Sequence, residues 1–179
     1  MGRVISIALK SWILLFSTVF LLAHDNTHAI EKISLNGSEI SVNYHRPSLN
    51  GRSIEQLLGK LGPDGVWRLG ADQVTRFVTT GDLSFVNGEL GTILVPRGKY
   101  VLWVRRGADG TWELLFNGNT EKEGRRYNPA SDVAAVPLQQ DGIGGTVEVL
   151  TIDLSGSMGA GKLAIHCGGL SLLAAFKLD

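Results

Sequence analysis

Cysteine is almost absent from this chain: Cys167 stands alone in 179 residues. A lone cysteine closes no intrachain disulfide, so in an oxidising compartment the fold must stand on its core. A surplus of one charge is also absent, since 17 Lys+Arg face 17 Asp+Glu. No net field then draws the chain to nucleic acid or an anionic membrane, and nucleic-acid partners are set aside. Long apolar runs are scarce as well. The stretch Ser11–Ala23 is uncharged but only 13 residues long, short of the ~20 that a spanning helix needs. Histidine is sparse, and two of the four, His45 and His166, are far apart in sequence. That spacing makes no metal site, so no metal or cofactor is expected.

What is present begins with a leader. Arg3 and Lys10 form a positive start, Ser11–Ala23 is the apolar centre, and Thr27-His28-Ala29 offers small residues at the two positions a signal peptidase reads. Cleavage before Ile30 is expected, with an uncleaved anchor as the alternative, and no membrane association once the leader is removed. No Cys stands near the end of the leader to accept a lipid. Residues 1–29 are therefore read as a signal peptide and 30–179 as a single β domain, periplasmic or secreted. The mature chain keeps 15 basic and 16 acidic residues.

The β assignment rests on turn punctuation. Asn-Gly occurs at 36–37, 50–51, 87–88 and 117–118, and Asp-Gly at 64–65, 109–110 and 141–142. Between alternating apolar runs these pairs signal hairpins, because they tolerate positive φ. The runs do alternate: Ile40, Val42 and Tyr44; Tyr100, Leu102 and Val104; Trp112, Leu114 and Phe116; Leu163, Ile165 and Cys167. The run Val147–Leu154 splits into two faces, and Leu172–Leu178 supplies a last apolar strand. One short helix is expected through Ile54, Leu57 and Leu58, capped by Ser53 and ended by Gly59. The pattern predicts an all-β fold, an antiparallel β-sandwich or jelly-roll-like barrel.

Motifs of catalysis are weak. Gly156–Lys162 has the glycine and lysine spacing of a phosphate loop. Leu163 stands where a hydroxyl is required, however, and strand alternation follows where a helix should open, so the segment is read as a hairpin loop. Gly142–Gly145 is read as a flexible turn. Cys167 lies in an apolar strand face, where a thiol acts as a small hydrophobe. The informative stretch is Tyr44–Thr75. There Arg46, Arg52 and Arg68 lie among Tyr44, Pro47, Trp67 and glycines. A guanidinium beside aromatics offers a planar fork of donors to a carboxylate or phosphate. The competing reading is that these arginines tie loops to carbonyls or to Asp64 and Asp72.

The pattern Tyr-x-Arg-Pro-x-x-x-Gly-Arg from Tyr44, then Trp67-Arg68-x-Gly70-Ala71 and Thr75, resembles the bacterial family named Domain of Unknown Function 2911. The similarity continues through Leu94–Tyr100 and Trp112–Asn117, and more loosely through Glu148–Leu154 and Leu163–Gly168. It implies a secreted bacterial β protein, in a family with no established activity or catalytic residues. Three departures stand out: Asp72 where Asn is more usual, Cys167 where Trp is frequent, and a longer insertion around Glu55–Leu61.

These residues lead to an expected noncatalytic binding or interaction module. Its candidate site is Arg46, Arg52, Trp67, Arg68, Asp72 and Thr75, and its partner is an unknown small molecule or protein, the small molecule anionic or polyhydroxylated. Two alternatives stay open: a periplasmic hydrolase with Asp72 or His45 as general base and an arginine steadying negative charge, or a purely structural role for the motif.

Overall fold

The computed structural model describes residues 27–62, 65–86, 91–120 and 126–179, apart from the side chains of 143–145. Ten strands are described: β1 Thr27–Leu35, β2 Ser38–Arg46, β3 Val66–Arg68, β4 Arg76–Thr79, β5 Leu83–Val86, β6 Thr92–Val95, β7 Gly98–Arg106, β8 Trp112–Asn117, β9 Asp132–Ser157 and β10 Ala160–Leu178. One helix, α1, spans Ile54–Leu58, and a 3₁₀ turn spans Pro129–Ser131. The leader expected over 1–29 lies outside the described residues as far as 26. Thr27–Ala29 form the start of β1, in register with Tyr44–Arg46 of β2. Among the described residues no helix is long and apolar enough to cross a membrane.

All the pairings are antiparallel, in the order β1-β2-β4-β7-β8-β9-β10-β5-β6, with β3 added beside β4 on β7. The path is open, since its ends β1 and β6 do not meet. The long strand β9 makes two layers from it. Its first part pairs with β8, from Asp132↔Asn117 to Leu138↔Trp112, and its later part pairs with β10, from Gln139↔Leu173 to Ser157↔Ala160. The first layer thus holds β1, β2, β4, β7 and β8, and the second β10, β5 and β6.

Period-two alternation explains what lies between the layers. Ile40, Val42 and Tyr44 from β2, Leu102 and Val104 from β7, and Leu114 and Phe116 from β8 meet Leu150 and Ile152 of β9 and Leu163, Ile165, Leu172 and Phe176 of β10. Phe116 sits at the centre. Its ring lies 5.2 Å from Phe77 and 5.7 Å from Tyr100 edge-on, and 5.6 Å from Phe85, which in turn lies 5.6 Å from Phe176. Each such ring contributes about 1.5–3 kcal/mol by leaving water, and the edge-to-face pairs add to that. Cys167 is 3% exposed inside this core, and burial pushes its thiol up to about 11, with Glu148 adding to the shift.

The local signals of the sequence are mostly met. Asn36 and Gly37 both have positive φ, 45° and 83°, in the β1–β2 turn. The helix has its full capping box: Ser53 Oγ accepts from the Gln56 amide, and the Ser53 amide donates to Gln56 Oε1. Gly156–Lys162 is the β9–β10 hairpin, turning at Met158 and Gly159. Other expected turns are absent. Asp141-Gly142 and Gly142–Gly145 run within β9, because β10 pairs across them. The strands expected at Leu163–Cys167 and Leu172–Leu178 are one strand, β10, bent by register shifts at Gly168 rather than broken. Asn50-Gly51 leads to α1 instead of closing a hairpin, and the turns expected at Asn87-Gly88 and Asp64 fall outside the described residues.

Candidate functional site

The residues singled out in the sequence separate into those built into the scaffold and those on a surface. Arg46 ends β2 and reaches along the edge of β9. Its Nε donates to the Leu150 carbonyl at 3.3 Å and its Nη2 to Thr151 Oγ1 at 2.9 Å. Beside it, the Leu150 amide donates to the Pro47 carbonyl and the Leu49 amide to the Glu148 carbonyl. Tyr44 joins the same seam. Its hydroxyl donates to the Ile152 carbonyl and accepts from the Ile152 amide, filling the place of a neighbouring strand. Arg52 Nε donates to the Leu49 carbonyl at 2.8 Å, within its own turn. Trp67 is 6% exposed in the main core. Thr75 is fully buried and donates from Oγ1 to the Leu69 carbonyl at 2.7 Å.

Arg68 is different. In β3, Trp67 turns inward while Arg68 stands opposite Trp103 on the outer face of the first layer. There a small second cluster of Val74, Val101, Trp103 and Leu115 packs with Val66, Tyr127 and Ala135. Among the described residues, the half-buried Arg68 guanidinium makes neither a hydrogen bond nor an ion pair.

Between Arg68 and Arg76 the chain leaves the β7 ladder and loops toward the end of β2. Leu69, Val74 and Thr75 are its buried anchors. Gly70 is required at the crossing. It has φ +92°, and an added Cβ would lie 3.1 Å from both the His45 carbonyl and Thr75 Oγ1. Asp72 takes the exposed left-handed turn at φ 51°, which Asp tolerates better than most residues. The loop thereby brings Asp72 to His45, with Oδ2 3.9 Å from Nδ1.

His45 alternates outward with Asn43, away from buried Val42 and Tyr44. It stands opposite His28, whose ring centroid is 5.3 Å away, and His28 Nε2 lies 2.6 Å from Asn43 Oδ1. Arg76, opposite Asn43, donates to the Thr120 carbonyl at 3.1 Å. His45 Nδ1 itself is buried and has no hydrogen-bond partner among the described residues. Of the six residues expected from the sequence, Asp72 lies on this loop, Arg68 precedes it and Thr75 is its buried anchor, while Arg46, Arg52 and Trp67 are engaged elsewhere. The contributions of His28 and Asn43 were missed. Asn43 was legible from the parity of β2, whereas His28 was assigned to the leader.

An apolar concavity of about 430 Å³ opens where β9 and β10 diverge and is lined by Phe85, Val86, Val136, Leu173 and Phe176. None of the residues expected from the sequence lines it. Among the described residues, no group of three His, Cys, Asp or Glu converges as a metal centre.

A family model described as "Protein of unknown function (DUF2911)" matches residues 26–168. No curated protein and no solved structure gives a match.

Proposed function

Since this chain belongs to the DUF2911 family of unknown function, its activity has to be argued from its own geometry, and we propose that its first layer carries a noncatalytic binding site for a small polyhydroxylated ligand. The site is the His45–Asp72 rim, with Arg68, at the start of the same loop, as a further donor. One observation carries the reading: the buried Nδ1 of His45 has no hydrogen-bond partner among the described residues and faces the Asp72 carboxylate across 3.9 Å. Leaving such a group unsatisfied costs about 1–3 kcal/mol. The gap is too long for a direct hydrogen bond, and because Nδ1 is buried an oxygen about 2.8 Å from each atom bridges it only once the exposed Asp72 side chain swings aside to uncover it.

The chemistry selects that oxygen. A hydroxyl accepts from Nδ1–H while donating to the carboxylate. A phosphate or carboxylate oxygen has no proton to give Asp72 and would be repelled by it. With Arg46 and Arg52 engaged in backbone ties, an anionic ligand also loses two of its three expected cations. A sugar or polyol therefore fits better than an anion. The leader pattern supports the setting, periplasmic or secreted.

The test is titration of the exported protein with a panel of neutral sugars, polyols and uronic acids, followed by calorimetry and by the His45 ring resonances. A saturable neutral polyol that shifts those resonances, and whose binding is lost in Asp72→Ala and His45→Phe, supports the reading. If no panel member binds and the resonances stay fixed, water alone fills the gap and the reading fails. The hydrolase alternative draws on the same His45–Asp72 pair as general base. It predicts turnover of the bound compound, which Asp72→Asn would slow without weakening binding.

A further inference from the structure

A second polar cluster lies on the outer face of the other layer. Alternation in β10 buries Leu163, Ile165, Leu170 and Leu172 in the core, leaving His166 and Ser171 on the opposite face. Across the ladder, Thr151 stands opposite His166 and Asp153 opposite Ala164, which puts Asp153 diagonal to His166 on the same face. The three side chains are wired in sequence. Ser171 Oγ lies 3.1 Å from His166 Nδ1, and His166 Nε2 lies 3.4 Å from Asp153 Oδ2. With the ring proton on Nε2, Ser171 donates to Nδ1 and His166 donates toward Asp153. Ser171 is 5% exposed, whereas the His166 and Asp153 side chains are 22% and 55% exposed.

We propose that Ser171 is an activated nucleophile with His166 as its general base, and that Asp153 is the positioning residue that fixes the ring tautomer. The logic is that of any hydroxyl–imidazole–carboxylate relay. The two ring nitrogens exchange their usual partners, which the chemistry permits because the neutral imidazole takes either tautomer, leaving Nδ1 free to accept here.

The backbone between base and nucleophile adds a second reason. The ladder shifts register on both sides of Gly168, so Cys167 and Gly169 have no cross-strand partner. Bulges of this kind collect beside active sites, where they re-aim side chains. Gly169 shares the outer face with Ser171, and a Cβ placed there would meet no described atom within 4 Å, so the strand itself puts no side chain beside the largely buried Ser171. Asp141 stands opposite Ser171, and together with Asp153 it disfavours anions. The substrate class is a small uncharged or cationic ester. Ser171 Oγ bonds to the carbonyl carbon as its proton passes to His166 Nδ1. The proton returns to the departing alkoxide as the C–O bond breaks, and water, deprotonated by the same nitrogen, releases the acid.

The experiment treats the folded full chain with a small alkyl fluorophosphonate and maps the adduct by mass spectrometry. The Oγ–P bond forms as fluoride leaves and the proton passes to Nδ1. A single adduct is expected on Ser171, formed at least about 100-fold more slowly in His166→Gln, more slowly also in Asp153→Asn, and lost when the wild-type protein is unfolded in urea. The unfolding control needs no variant, so it holds even if a substitution perturbs the fold. An unlabelled Ser171 in the native protein, equal labelling of the unfolded chain, or an unchanged rate in a folded His166→Gln overturns the proposal.

Discussion

Replacing Arg46 and Arg68 separately by alanine divides the arginine motif into scaffold and surface. Arg46→Ala removes two charge-assisted hydrogen bonds, to the Leu150 carbonyl and to Thr151 Oγ1. Leu150 is fully buried, so its carbonyl loses a partner that water replaces poorly. Two such bonds and one under-satisfied acceptor amount to about 2–4 kcal/mol. At roughly 2–4 °C per kcal/mol for a domain of this size, the melting temperature should fall by roughly 5–15 °C. Arg68→Ala severs no hydrogen bond or ion pair among the described residues and should stay within about 0.5 kcal/mol of wild type. Thermal and urea melts of both variants read the difference. A double-mutant cycle with Thr151→Val isolates the Arg46–Thr151 pair, with an expected coupling of about 0.5–1.5 kcal/mol. An Arg68 loss as large as that of Arg46, or a zero coupling, would refute the reasoning.

Two further outcomes test the core seam. Tyr44→Phe removes the hydroxyl that serves both the amide and the carbonyl of Ile152, and should cost about 1–3 kcal/mol in urea melts with little change in m-value. Cys167 should resist alkylation at pH 8 until the protein unfolds, as its burial and raised pKa require. The folded thiol keeps its proton up to about pH 11 while the unfolded thiol releases it near ~8.5. Stability should therefore fall as pH rises between those values, relative to a Cys167→Ala reference whose melts lack that slope.

Much of the fold was legible because its signals are local. Asn36-Gly37 needs only its own two positive φ values to turn β1 into β2, and Ser53 and Gln56 cap the helix across three residues. The two-face split of Val147–Leu154 reappears with Leu150 and Ile152 buried. Where turns were expected and strand was found, the deciding partner is distant. Asp141-Gly142 is flexible enough to turn, but the ladder to Leu170 and Ser171 holds it extended. The β10 bend is hidden for the same reason, since Gly168-Gly169 reads as a strand end until β9 is seen continuing opposite it.

The site was less legible, because composition shows which groups a segment carries and not which are already engaged. Arg46 and Arg68 look alike in sequence, each beside an aromatic and a chain-bending residue. What separates them is the edge of β9, a hundred residues downstream, which takes the Arg46 guanidinium and gives nothing to Arg68. The same holds for the histidines. Their sequence spacing argued against a shared metal site, yet each faces a carboxylate supplied by another segment: His45 meets Asp72 through the loop that Gly70 permits, and His166 meets Asp153 through the β9–β10 register. The two pairs differ in what completes them. His166 has a serine on its second nitrogen, which makes a proton relay, whereas His45 Nδ1 has no hydrogen-bond partner among the described residues, which makes a place for a hydroxyl from outside. Binding is thus proposed for the face of the first layer and bond-making for the face of the second, and each proposal stands or falls on its own experiment.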